Sequence, residues 1–301
     1  MKRFLTTALI ALTLAACSRR DPTAGFVDPA LATLIPADTV MLAGVKVESV
    51  RETPLYRKYI EGSSLLKIDE LSARTGFDPR KDLWNVLMTS NGKEVLVMAR
   101  GKFSEMGREP KSMPNVKRSS YKGYTLLGDD ETGVLFVNAS TALVGTIPAM
   151  QRAVDQKDSS KGVPKPLLEQ IRTLPAESQV WMAALGGRVM LPLQFQGNAA
   201  NLGKIIQEMQ TATLSMNLRN GVDLAAQANY TDDKLAQQTR DALRALLGIA
   251  RLTTPSAETD VLKAFDTMQV NQVGTAVKFT AQMPPDLVEK LANRAAARIQ
   301  Q

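Results

Sequence analysis

Few residue types in this chain can do chemistry, and their spacing narrows the field further. The 301 residues hold one cysteine, Cys17, and no histidine. Without imidazole the commonest general base is missing, and so is the commonest zinc and iron ligand. A serine activated by lysine is the nearest nucleophilic alternative. Ser64-Leu65-Leu66-Lys67 and Ser119-Ser120-Tyr121-Lys122 both fit the pattern Ser-x-x-Lys. Asp129, Asp130 and Glu131 in "GDDETG" offer the carboxylate oxygens that a hard cation takes. Consecutive acids beside glycine are first of all a solvated turn. A glycine-rich phosphate loop, a Gly-x-Ser-x-Gly elbow and EF-hand spacing are all absent. The densest cationic run, "KSMPNVKRSSYKGY", carries Lys111, Lys117, Arg118 and Lys122. These four form the candidate surface for an anionic partner such as lipid headgroups; the plain alternative is a solvated loop.

Cys17 has a distinctive setting. Met1-Lys2-Arg3 precedes an apolar run from Phe4 to Leu14, and Ala15-Ala16 lead into the cysteine. A short cationic start, an apolar core and small residues are the layout of a secretory signal. The run is too short to span a bilayer, which takes about 20 residues. Leu14-Ala15-Ala16-Cys17 resembles the lipobox of bacterial lipoproteins. The resemblance implies diacylglyceryl attachment to the Cys17 sulfur, cleavage before Cys17 and acylation of the freed amine. One acyl chain holds a membrane marginally, whereas several anchor firmly. Ser18 follows the cysteine where inner-membrane lipoproteins of that family tend to carry Asp, so the resemblance implies the outer membrane. The Ser-x-x-Lys segments resemble the nucleophile motif of penicillin-recognising enzymes, but the Lys-Thr-Gly and Ser-Asp-Asn partners are absent.

The elements that would position these groups can be read from the rest of the chain. Cleavage before Cys17 leaves 285 residues and removes Lys2 and Arg3, lowering the formal charge from +7 to +5. Residues 18–27 form a tether of at most about 35 Å. Asp28-Pro29 reads as the cap and first position of a short helix. "LIPADTVMLAG" (34–44) is echoed by "LPAESQVWMAA" (174–184), with a one-residue insertion in the second copy. Asn91-Gly92 and Asn220-Gly221 each sit between β-prone runs and predict type I′ hairpins. Pro148 and Pro285 each open a helix after a strand-like run. Landmarks repeating in the same order predict a duplicated unit of about 130 residues.

The expected fold is α+β: two tandem related units of antiparallel sheet, with helices packed on one face. The boundaries are 1–16 for the signal, 17–33 for the lipidated tether and short helix, and 34–156 for the first unit. A linker covers 157–171 and the second unit 172–301. "GFDPRKDLW" (76–84) reads as a turn, 202–210 as a helix, and Asp232 as the cap of a longer helix ending near Gly248. In the last helix Leu287, Val288, Leu291, Ala292, Ala295 and Ile299 form a stripe expected to pack on the sheet. The segments "PADTV" and "GFDPRKDL" are similar to uncharacterised envelope proteins of soil-type bacteria.

These observations lead to a membrane-anchored periplasmic lipoprotein with a non-catalytic binding or scaffolding role, without cofactor or metal and with no nucleic-acid partner. Its partners are the membrane, through Cys17, and an envelope protein or anionic lipid. The alternatives are a hydrolase using carboxylates or a Ser–Lys pair, with Ser64, Ser119 and Asp129 the groups to test, or an envelope assembly factor.

Overall fold

The computed structural model describes residues 25–61, 66–104, 116–159, 161–186 and 207–299. The chain opens with α1 (Pro29–Ala32), whose N-cap Asp28 accepts a bond from the Ala30 N–H. Strand β1 (Met41–Lys46) follows. Next come α2 (Val47–Arg51), α3 (Pro54–Tyr56), a π-turn over Arg57–Glu61, and α4 (Leu66–Thr75). The segment expected to be a plain turn at 76–84 contains α5 (Pro79–Asp82), capped by Asp78. Six strands follow: β2 (Leu83–Ser90), β3 (Val95–Gly101), β4 (Lys117–Tyr121), β5 (Tyr124–Gly128), β6 (Thr132–Asn138) and β7 (Thr141–Thr146). Helices α6 (Ile147–Gln156) and α7 (Lys165–Ile171) close the first half. The second half runs β8 (Val180–Leu185), β9 (Thr211–Asn217), β10 (Val222–Asn229), α8 (Asp233–Thr253), α9 (Thr259–Asp266), β11 (Met268–Val273), β12 (Ala276–Met283) and α10 (Pro285–Ile299).

The twelve described strands form one antiparallel sheet in the order β11-β12-β10-β9-β8-β1-β2-β3-β7-β6-β5-β4. The β1–β8 pair is the seam between the halves. Outward from it, β1-β2-β3-β7-β6 and β8-β9-β10-β12-β11 run in the same order. The register across the seam matches Ile35–Gly44 to Leu174–Ala183 without any insertion, because Ala43 then faces its own counterpart Met182. Local bonds agree. Lys46 N–H donates to Gln179 O (2.8 Å), and Leu185 N–H donates to Val40 O (2.8 Å). Thr39 N–H to Pro36 O and Ser178 N–H to Pro175 O close the same turn in both halves. The insertion expected from sequence is therefore unnecessary: pairing fixes the phase, and a one-residue slip would send every side chain to the other face.

Alternation along the strands sorts the side chains into two faces. On the front, Trp181, Leu87, Met98, Leu143, Leu135 and Leu126 form a cross-strand row with Gly44 between the first two. Leu31 of α1, Met150 and Ala153 of α6, and Leu167 and Ile171 of α7 cover it in one buried cluster. Each fully buried aliphatic there contributes about 2 kcal/mol of transfer free energy. On the back of the second half, the row Ala184, Ala212, Ala228 and Val277 lies beneath α8, which contributes Ala236, Leu243 and Leu247. In the second half helices lie on both faces, because α7 also packs on β8 and β9 from the front while α8 covers the back. The back of the first half has its own cluster of Ala99, Ala142, Phe136 and Leu127, capped by stacked Phe77 and Phe103 (5.2 Å).

Three local expectations change. The stretch 157–171 is not an open linker, because α7 lies in it and Leu167 and Ile171 are fully buried. Helix α8 runs through Gly248 to Thr253; one glycine costs about 1 kcal/mol, which packing along the helix offsets. The last helix, α10, leans on α9 and reaches back to the π-turn. Lys58 pairs with Glu289, Tyr59 Oη donates to Asn293 Oδ1 (3.0 Å), and Arg294 pairs with Glu258 (2.7 Å). The side chains of Ala295 and Ile299, and residues 202–206 of the expected helix, lie outside the described residues.

Candidate functional site

Most of the charged groups nominated for chemistry among the described residues are held in structural contacts. Ser119 is on strand β4, not on a helix, and Lys122 occupies the turn that ends that strand. Strand alternation sends side chains three apart to opposite faces, so the Ser–Lys geometry does not form. Lys122 Nζ instead pairs with Asp155 at 2.7 Å. That bond holds the ammonium proton more firmly than usual and raises its pKa, the opposite of what a base requires. Asp155 also accepts from Tyr121 Oη at 2.8 Å. Bonds from Lys122 and then Tyr121 keep the Asp155 carboxyl below the ordinary range. Ser64 lies outside the described residues.

The acidic turn is equally committed. Asp129 Oδ1 accepts from the Thr132 N–H (2.7 Å) and the Glu131 N–H (2.8 Å). Those backbone donors lower its pKa. Asp130 pairs with Lys117 at 2.9 Å. Oxygens already facing N–H donors are poorly arranged for a cation. Among the described residues no group of three or more metal-ligating side chains comes together. The four-residue cationic surface is also thinned: Lys117 and Lys122 are ion-paired, Arg118 is exposed on β4, and Lys111 lies outside the described residues.

The hairpin between Tyr121 and Tyr124 shows where the type I′ signal belonged. Both of its central residues, Lys122 (φ 48°) and Gly123 (φ 84°), have positive φ. Asn91 and Asn220 do not, because β2–β3 and β9–β10 are joined by four-residue loops in which only Gly92 (φ 88°) and Gly221 (φ 94°) do. Asn91 caps its loop instead, accepting from the Lys93 and Glu94 N–H groups. Asn217, at the end of β9, makes a related bond, accepting from the Arg219 N–H.

At the seam the space over Gly44 is filled by an indole. Trp181, 1% exposed, lies flat on Gly44 and receives the edge of Phe26 at 5.5 Å. A cleft of about 480 Å³ lies between the turn at Ile35–Ala37 and residues 156–165. Gln156 holds its wall, donating to Leu34 O (3.3 Å) and accepting from the Ala37 N–H (3.3 Å). Ile35, Val163 and Pro164 line its apolar side, with Lys161 and Lys165 on the rim. An apolar floor with a cationic rim suits an amphiphilic anion. Sequence patterning missed it because the stretch reads as a charged linker, and its burial comes from the neighbouring α7.

Residues 1–18 match the model of the prokaryotic membrane lipoprotein lipid attachment site. The chain carries the attachment site of a bacterial lipoprotein. Cys17 is the residue it assigns to lipid, and no described helix is long and apolar enough to cross a membrane. No curated protein sequence matches this chain. Among solved structures, crystal form III of TP0453 aligns over 85% of this chain and 93% of its own, with a TM-score of 0.51 and 13% identity. Crystal forms I and IV align over 88% of this chain and 96% and 95% of theirs, with TM-scores of 0.47 and 0.45 and identities of 11% and 12%. At this identity the likeness speaks for the fold alone.

Proposed function

We propose that this membrane-anchored lipoprotein is a non-catalytic binding or scaffolding element of the cell envelope, on the periplasmic face of the outer membrane. The outer-membrane placement rests on Ser18 beside Cys17. The carrying observation for the role is that Lys122, Asp129, Asp130 and Asp155 all serve local structure, while an apolar cleft with a lysine rim stands open. The described body begins eight residues after Cys17, a reach of about 28 Å, so its ligands belong to the membrane or its immediate neighbourhood. The related strand orders of the two halves support an origin by tandem duplication.

Two measurements test this. Crosslinked envelope pulled down with the full lipidated chain should yield a reproducible partner, and Lys161→Glu with Lys165→Glu should weaken recovery of an anionic one. The chain lacking its anchor (residues 18–301) should resist covalent serine probes and leave peptidoglycan and ester substrates intact. Turnover of either substrate would overturn the non-catalytic reading.

A further inference from the structure

Strand β11 ends the sheet on one side and β4 ends it on the other. The two edges differ in chemistry. β4 carries Lys117 and Arg118, charges that discourage a stray strand. β11 reads Met-Gln-Val-Asn-Gln-Val, with no charge and no proline. Val273 at its end is 80% exposed. A groove of about 360 Å³ runs between this edge and α8, lined by Arg244, Leu247, Met268, Gln269, Val270 and Asn271.

The backbone of β11 is half available. Val273 and Ala276 close a two-residue loop, so they form a hydrogen-bonded pair, and Asn271 and Gln269 follow by alternation. Met268, Val270 and Gln272 therefore aim their N–H and C=O groups away from β12, the first two of these residues lining the groove. One of these groups is occupied: Arg244 donates through Nε (2.9 Å) and Nη2 (2.7 Å) to Val270 O. Arg244 has no ion-pair partner among the described residues. Its guanidinium, built for a carboxylate, is parked on a neutral carbonyl.

The other half of the sheet shows what such an edge accepts. β6 holds in its half the place that β11 holds in the second, and the outer edge of β6 is paired with β5. After β10 the chain builds α8 and α9 where the first half adds β4 and β5, and the place beside β11 stays open to the groove.

We infer that the groove between β11 and α8 takes an extended, acidic segment of a partner protein as an added strand. The segment's backbone pairs with Met268, Val270 and Gln272, supplying an N–H to Val270 O in place of Arg244. Arg244, released, pairs with a carboxylate of the segment in a charge-assisted contact. Alternate side chains of the segment must be apolar to meet Leu247 and Met268. This rests on the binding role proposed above and names its partner's chemistry.

The test uses residues 18–301 and a fluorescein-labelled peptide alternating Val and Thr with one central Glu, beside the same peptide with Gln. Anisotropy should saturate and favour the Glu peptide about tenfold, as expected of one charge-assisted contact. Arg244→Gln should remove that preference. Gln272→Pro removes an outward N–H that β12 does not use together with side-chain bonds to Asp233 O and Gly274 O; it should abolish binding with the circular dichroism unchanged, while Gln272→Ala, which loses only the side-chain bonds, should keep it. Hydrogen exchange should slow at Val270 and Gln272 when peptide binds. No saturable binding, or wild-type binding by Gln272→Pro, overturns the inference. So does a dimer in sedimentation that Gln272→Pro dissolves, since the occupant is then a second copy. Cleavage of the peptide would instead strike at the non-catalytic role, so the two failures are distinguishable.

Discussion

Gly44→Ala tests the seam directly. A Cβ at this position would lie 2.4 Å from Trp181 Nε1, 2.5 Å from Cε2 and 2.7 Å from Cζ2. Ordinary carbon contacts need about 3.5–4 Å, so the indole must retreat by about 1 Å. It has little room, because Trp181 is 1% exposed and Phe26 abuts it. Overpacking of this kind costs about 1–3 kcal/mol. At about 2–4 °C per kcal/mol for a chain of this size, the Tm should fall by about 5 °C. Trp181→Ala alone should cost about 3–5 kcal/mol. In that background the new methyl enters vacated space, so Gly44→Ala should cost almost nothing and the pair should couple by at least about 1 kcal/mol. Trp181 Nε1 has no hydrogen-bond partner, so Trp181→Phe forfeits packing but no bond. The assay is urea unfolding of residues 18–301 followed by far-ultraviolet circular dichroism. If Gly44→Ala costs the same with and without the indole, the stacking described here is wrong.

Asp78 caps α5 and pairs with Arg80 Nε at 2.9 Å. The Arg80 bond is the main cause of its lowered pKa. Its stabilisation is fully present above the unfolded carboxylate value of about 3.9 and is lost as pH falls through the lower folded value. Asp78→Ala should lose about 1 kcal/mol from the cap at neutral pH and flatten acid unfolding below about pH 4; an unchanged acid limb refutes the assignment. Gly123→Ala meets no atom within 4 Å, so its expected cost of about 1 kcal/mol comes from positive φ alone, measured by the same unfolding. Cys17→Ala should move the protein from the membrane fraction to the soluble fraction, and Triton X-114 partitioning reads this.

Local signals were legible in the sequence because local physics sets them. Asp28-Pro29 and Asp232 start helices through caps that need only three or four residues, and the seam strands announce themselves by a shared Pro-Ala-acid-hydroxyl turn. What depended on distant partners was not legible. The Asn-Gly pairs promised tight turns, yet strand pairing left four-residue loops there, and the I′ turn fell to Lys122-Gly123. Ser119 and Lys122 lie three apart along the end of a strand and so point to opposite faces, and the candidate catalytic pair does not form. The cleft needs residues from opposite ends of a half, and the β11 groove needs a helix face set beside a strand edge, neither of which a short window of sequence brings together.

The seam also orders events in time. β1 lies at the centre of the sheet, but its second neighbour, β8, lies about 140 residues further along the chain. During amino-terminal-first export, β1 to β7 can assemble while β8 is still threading through the membrane. For that interval the backbone of Leu42 and Gly44 stands unpaired, guarded by a single charge, Lys46 at the strand's end, and such an edge recruits foreign strands. The finished sheet conceals this, but a chain arrested before residue 180 would display it, and a holdase of the export route would find its most adhesive surface there.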